Sequence, residues 1–204
     1  MATELLATVD SALAADDFVT AIRACEDLET GMAGDDVTTT ITYMQQLFLY
    51  IIVDDLENAR HLWRRIPESL KTANPELEAC WTVGKCIWQN TNVPGAFVAL
   101  QAGWSAPVSS IAAKAAATIR TRQLDLLSKA YTKISLVSGA LALGLDEAEA
   151  LRVFNKAGWM HQPETGLLDV VAPPPMPQRF DGLDQLAYLT DQVTFLETRS
   201  VTKA

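Results

Sequence analysis

Apolar residues recur at intervals of three and four along most of this chain. Leu5, Leu6, Val9 and Leu13 form one stripe. Ile41, Met44, Leu47, Phe48 and Ile51 form a second, and Leu77, Cys80, Trp81, Gly84, Ile87 and Trp88 a third. That spacing gathers each set on one face of an α-helix. No run of alternating apolar residues occurs outside about 132–172, so residues 1–131 are expected to be almost wholly helical. The longest apolar run, Leu47 to Val53, is far too short to span a bilayer and reads as a buried helix end.

The helices repeat. Asp17-Phe18-Val19-Thr20-Ala21, Asp55-Leu56-Glu57-Asn58-Ala59 and Asn92-Val93-Pro94-Gly95-Ala96 each set a capping residue four before an alanine. The alanines stand 38 and 37 residues apart, and an apolar residue follows each four later: Cys25, Trp63 and Leu100. A small residue lets two helices approach, and the residue one turn on fills the groove between them. The period is that of a tetratricopeptide-like unit, in which helix pairs bury their faces by stacking. Asp54 with Glu57 predicts a capping box before the helix from Leu56, Pro67 ends that helix after Ile66, and Asn74-Pro75 starts the next. The pairs Asp16-Asp17, Asp35-Asp36 and Asp54-Asp55 stand at predicted helix starts, where they complement the dipole.

After a long helical stretch through Ile119, Leu124 and Leu127 to about Tyr131, the pattern changes. Thr132 to Leu136 reads as a strand, and Ala140-Leu141-Ala142-Leu143 as a helix ending at Gly144. Asp146, with Glu149 three residues on, predicts a capped second helix whose inward face carries Leu151 and Phe154. Two short helices joined through a glycine turn make a helix-turn-helix. A strand over Leu167 to Val171, returning beside the first, would make it a winged helix. His161 falls near the wing turn, over 161–166.

Such a unit binds nucleic acid or protein, and its surface discriminates. The second helix, about Asp146 to Lys156, carries Asp146, Glu147 and Glu149 against Arg152 and Lys156. The acids sit at the end where groove-reading helices contact bases, and basic side chains dominate phosphate affinity. The whole chain has a net charge of −9 and a pI of about 4.7. No nucleic-acid partner is expected.

Beyond Pro173-Pro174-Pro175-Met176-Pro177, a stiff extended spacer, Leu183, Leu186, Leu189, Val193 and Leu196 recur at helical intervals. They predict one amphipathic helix, about Gly182 to Arg199, with Tyr188 and Phe195 as a second apolar pair. That helix either folds back on its own domain or joins a bundle with other chains.

At 204 residues, 49% hydrophobic and 20% charged, the chain is globular and long enough for a sizeable core. The N-terminal stretch has Glu4 and no basic residue before Arg23, unlike a signal peptide. Cys25, Cys80 and Cys86 have no metal-ligand spacing and are expected to be reduced core residues. His61 and His161 are a hundred residues apart, and no HExxH, CxxC, GxxxxGK[ST], GxGxxG or GxSxG occurs. His61, beside Arg60 and Arg64, suits a solvated face. Trp63, Trp81 and Trp88, at helical spacing, are expected in the core. The reading is a non-enzyme with no catalytic, cofactor-binding or metal residues.

A helical-repeat arm running straight into a winged helix, then a C-terminal helix, resembles the PCI domain family. The resemblance rests on RQLDLLSKAYTKISL (122–136) and LALGLDEAEALRVFNKAGW (141–159). LFLYIIVDDLENARHLWRRIPESLK (47–71) and PELEACWTVGKCIWQN (75–90) resemble the branch that supplies the smallest PCI subunit of the COP-nine signalosome. The resemblance implies a mostly α fold: an arm over 1–115, the winged-helix part of the PCI domain with a small antiparallel sheet over 116–172, a Pro-rich spacer over 173–178 and an assembly helix over 179–204. It implies a non-catalytic scaffold of the complex that removes Nedd8 from cullins, whose metal centre belongs to an MPN subunit. The alternatives are an adaptor of the proteasome lid or of the translation initiation factor three complex, and a nucleic-acid-binding winged helix. Expected partners are other PCI and MPN subunits, with no small-molecule substrate, cofactor or membrane, in nucleus and cytoplasm. Interaction residues would be Ile134, Trp159, Leu168 and Val170 on the strand-and-helix unit, and Leu183, Leu186, Leu189, Val193 and Leu196 on the last helix.

Overall fold

The computed structural model describes residues 2–31, 37–88, 92–172 and 181–201. Residues 1–172 form one compact unit and 173–204 a second. In the first, helices α1 (Ala2–Ala14), α2 (Phe18–Gly31), α3 (Val37–Val53), α4 (Leu56–Arg65), α5 (Glu68–Ala73), α6 (Pro75–Trp88), α7 (Val93–Leu100) and α8 (Ala106–Ala130) precede β1 (Lys133–Ser135), α9 (Leu136–Leu143), α10 (Glu147–Lys156), β2 (Met160–Gln162) and β3 (Leu167–Asp169). The second contains α11 (Asp181–Val201), which includes the predicted 182–199 helix. The protein is mostly helical with a small open three-stranded sheet. The pairs Asp35-Asp36 and Pro173 to Pro177 lie outside the described residues.

Helix α3 lies at the centre of the arm, packed by α2, α4, α6 and α8. This is why its apolar run is continuous: Leu47, Phe48, Leu49, Tyr50, Ile51 and Ile52 are all buried. Each such side chain contributes about 1.5–3 kcal/mol by leaving water. The repeat alanines Ala21, Ala59 and Ala96 are all sealed, at 0–1% exposed. Each lies one turn after a capped start. Asp17 accepts from Thr20 N at 3.2 Å, Asp55 from Asn58 N at 3.1 Å and Asn92 from Gly95 N at 3.1 Å.

The Asp-Asp pairs divide their work, which corrects the expected capping box at Asp54. Asp16 and Asp54 both adopt left-handed backbone, φ 56° and 69°. Each closes the preceding helix: Asp17 N donates to Ala12 O and Asp55 N to Tyr50 O, both at 2.9 Å. These are Schellman-type closures, in which a left-handed residue lets the chain turn back onto free carbonyls. The second Asp of each pair then caps the next helix. Glu57, freed from the box, accepts from Trp88 Nε1 at 3.1 Å.

The three strands pair antiparallel in the order β1-β3-β2, with Leu168 opposite Ile134 on one side and His161 on the other. β1 and β3 lie within the two predicted strands. β2 was not predicted, and it puts His161 on a strand rather than in the turn. Three residues of Met-His-Gln carry no usable alternation. Asp146 begins α10 without a side-chain cap bond, so the expected box with Glu149 does not form.

A second core lies between this sheet and α8–α10, built from Leu127, Ala140, Leu143, Ala150, Phe154, Trp159 and Leu168. Phe154 and Trp159 stack at 4.8 Å, brought together by Gly158 at φ 83°. Helix α8 threads both cores, with Val108, Ile111, Ala115 and Ile119 in the first and Leu127 in the second.

Candidate assembly surface

Backbone groups decide what the sheet can offer. β3 is paired on both sides, whereas β1 and β2 each have one unpaired edge. An unpaired edge is a template for another strand, and short or charged edges restrain nonspecific pairing. Both are three residues long. On β1, Lys133 pairs with Asp169 at 3.2 Å, and Gln162 of β2 donates to the same carboxylate from the other side. Asp169 therefore ties both edges to the central strand.

Exposed apolar side chains flank these edges. Met160 on β2, Val171 just beyond β3, and Val137 and Leu141 one turn apart on α9 are each more than half exposed. Sequence reasoning assigned no role to Met160, Val137 or Leu141; the Val137–Leu141 spacing was the available signal.

The residues proposed from sequence separate into three groups. Trp159 and Leu168 are buried, at 3% and 0% exposed, and fill the second core. Their side chains hold the unit together, and a partner cannot reach them without unfolding it; that corrects their place among surface residues. Ile134 and Val170 are half-buried against the same core. Leu186, Leu189 and Val193 on α11 are exposed at 53–60%, and Tyr188 and Phe195 are exposed as well. The side chains of Leu183 and Leu196 lie outside those described.

Trp63, Trp81 and Trp88 are half-buried, and the first two lie at the rim of the first core and not inside it. Trp63 and Trp81 stack at 5.4 Å, Lys71 Nζ sits 5.0 Å from the Trp63 ring, and the Arg60 guanidinium lies 4.7 Å from Trp88. Cation–π contacts of this kind shield large rings at a surface. Of the thiols, Cys25 and Cys80 are buried and Cys86 is half-buried. Burial pushes the Cys25 thiol up to about 12 and raises that of Cys80 as well.

Among the described residues, two open cavities measure about 330 and 440 Å³. The first is lined by Asp10, Gln45, Ser110 and Lys114, the second by Trp63, Glu68, Lys71 and Glu78. Neither of these brings a histidine or cysteine to its wall. Among the described residues no cluster of three or more His, Cys, Asp or Glu is placed to hold a metal ion. Among them, too, no helix is long and apolar enough to cross a membrane. At the start of α10, Asp146, Glu147 and Glu149 are exposed, and Arg152 and Lys156 follow on the helix.

Comparison with known proteins gives this arrangement its context. The COP9 signalosome complex subunit 8 of Danio rerio is 39% identical over 163 residues, covering 79% of this chain and 85% of that protein. The protein of the same name in Xenopus laevis is 36% identical over 175 residues, 85% of this chain and 89% of its own. The one in Arabidopsis thaliana is 31% identical over 157 residues, 76% of this chain and 79% of its own. The profile of the CSN8/PSMD8/EIF3K family matches residues 37–178, which takes in α3 to α10 and all three strands. With that match and relatives of this identity along most of its length, the chain belongs to the CSN8/PSMD8/EIF3K family.

Proposed function

We propose that this chain is a non-catalytic scaffold subunit of the COP9 signalosome, the complex that removes Nedd8 from cullins. The observation that carries the reading is the 39% identity to a COP9 signalosome complex subunit 8 across 85% of that protein. In this reading α1–α7 are a tetratricopeptide-like arm, and β1, α9, α10, β2 and β3 a winged helix, together a PCI domain over about 1–172. Residues 173–178 are a spacer and 179–204 an assembly helix. The sealed alanines of the repeat support the arm, and the β1-β3-β2 order around a helix-turn-helix supports the winged helix.

The unpaired sheet edges and the exposed stripe Leu186, Leu189 and Val193 are the surfaces offered to other PCI and MPN subunits. Catalysis belongs elsewhere in the complex. The exposed acids at the start of α10 oppose a nucleic-acid role, because the recognition end of the helix would meet phosphates with carboxylates. A nuclear and cytoplasmic location is the expectation that accompanies this role.

The second reading is the equivalent subunit of the proteasome lid or the translation initiation factor three complex, since one family profile spans all three. Affinity capture of the tagged full-length chain from cells separates them. Co-purification of signalosome subunits with cullins is expected. Recovery of proteasome or translation-initiation subunits instead moves the assignment to the second reading, and recovery of neither overturns the scaffold role.

A further inference from the structure

The two cores of the first unit share helix α8, and a shared helix fixes an axis but not the rotation about it. A second contact away from that axis is needed to hold α9 and α10 at one angle to the arm. Among the described residues, α7 and α9 make such a contact. Phe97 on α7, 2% exposed, lies against the turn that ends α9. There Gly144 takes φ 60°, and a Cβ on it would come within 2.3 Å of Phe97 Cγ. The ring therefore occupies the space a side chain would need. Arg120 on α8 closes the arrangement: its guanidinium lies 5.1 Å from the Phe97 ring, and its Nε donates to Leu143 O at 3.2 Å.

Three elements thus converge on one point, and each observation is independent of the others. The left-handed glycine ends α9 with free carbonyls. The arginine answers one of them and covers the ring. The ring belongs to the first core, while Leu143 belongs to the second. A side chain does not fit at 144, because the ring occupies the place of a Cβ, and left-handed backbone adds a further cost for any residue but glycine.

We propose that Phe97, Gly144 and Arg120 form a rotational lock that fixes the helix-turn-helix and sheet on the arm, so that both present their surfaces to partners in one orientation. Removing the ring or the guanidinium frees α9 and α10 to turn about α8 while each core stays folded. The lock acts through packing and a single charge-assisted hydrogen bond, so it is independent of which complex the chain enters.

The test is a distance distribution between spin labels at Ser69→Cys on the arm and Thr165→Cys in the β2–β3 turn, in the full chain carrying Cys86→Ser. With the lock intact a single narrow population is expected. Phe97→Ala should broaden or split it, with circular dichroism showing retained helix. Arg120→Gln, which leaves the ring in place and guards against a Phe97 variant that fails to fold, should broaden it less. Distributions as narrow as the parent in the folded variants would overturn the lock. So would a broad distribution in the parent.

Discussion

Arg122 Nη1 lies 3.1 Å from Asp54 Oδ1, and the same guanidinium donates to the carbonyls of Ile51 and Ile52 at the end of α3. Thirty-eight residues earlier the arrangement recurs. Lys114 Nζ, one side of the same helix α8, reaches Leu13 O at 2.6 Å and the carboxylate of Asp16. Lys114 and Arg122 are eight residues apart, about 12 Å along a helix. Helix α8 therefore carries a comb of cations that cap α1, α3 and, through Arg120, α9. Each cation meets carbonyls of a helix's last turn at the negative end of its dipole.

This predicts unequal partners. Arg122→Ala should destabilise the chain by about 1.5–3 kcal/mol, because buried carbonyls lose charge-assisted bonds. Asp54→Ala should cost less than about 1 kcal/mol, since the carboxylate is exposed and its ion pair is screened by solvent. Urea titrations of both variants decide it. An Asp54 variant as unstable as the Arg122 variant would show the ion pair, not the cap, to be the main contribution.

The helix starts make a second contrast. Asp55→Ala and Asn92→Ala should each cost about 0.5–2 kcal/mol, because each side chain accepts from a backbone N–H. Asp146→Ala should cost less than either, since no such bond is present. Thermal melts of the three variants are sufficient.

Asp17 adds a pH dependence of known sign. The Thr20 hydroxyl, and then its backbone N–H, hold the Asp17 carboxyl below its ordinary value. A depressed folded pKa gives a stabilising contribution that is present above the ordinary Asp range and lost as pH falls through the folded value. Asp17→Asn should therefore flatten the loss of stability on acidification. Thr20→Ala should do so in part, and an unchanged acid profile in both would remove Asp17 as a contributor.

The fold was legible where local chemistry and periodicity agreed. Phe48, Leu77 and Ile119 are buried as their spacing required, and Pro67 and Pro75 stand at the helix boundaries they mark. What escaped was set by tertiary geometry. The cap at Asp54 moved to Asp55 because α3 needs a left-handed residue to turn onto Arg122, a partner 68 residues away. β2 is held by its register with Leu168 and not by its own composition. The candidate surface was legible only as a set of apolar positions. Periodicity reports that Trp159 and Leu168 face a core as readily as that Leu186 and Leu189 form a stripe. It does not separate a residue that packs inward from one left for a partner. The three tryptophans failed in the opposite sense: Lys71 and Arg60 lie over Trp63 and Trp88, and Trp81 stacks on Trp63, so rings that hydrophobicity alone would bury stay half-exposed.

Thiol chemistry offers a direct check on burial. Reaction requires the thiolate and an approach path. Cys25 and Cys80 are 0% exposed, and burial raises both thiols. An alkylating reagent at neutral pH should modify Cys86 first and the other two only on unfolding. Peptide mapping by mass spectrometry that found Cys25 or Cys80 labelled as fast as Cys86 in the folded chain would contradict the arm described above.

The last prediction concerns α11. Leu186, Leu189 and Val193 lie on one face and are each more than half exposed. Burying a fully exposed Leu or Val contributes about 1.5–3 kcal/mol, so three on one helix are a substantial reserve against a partner, less the cost of ordering and association. If the stripe is an assembly surface, Leu186→Ser with Leu189→Ser should leave the melting temperature of the isolated chain within a few degrees and sharply reduce its capture with the complex. Exposed Leu→Ser changes lose little helix propensity and bury no polar group, so stability has no reason to fall. Deleting 179–204 should act in the same direction. A chain that instead unfolds or aggregates after either change uses the stripe for its own stability, and the assembly role of these leucines would have to be abandoned.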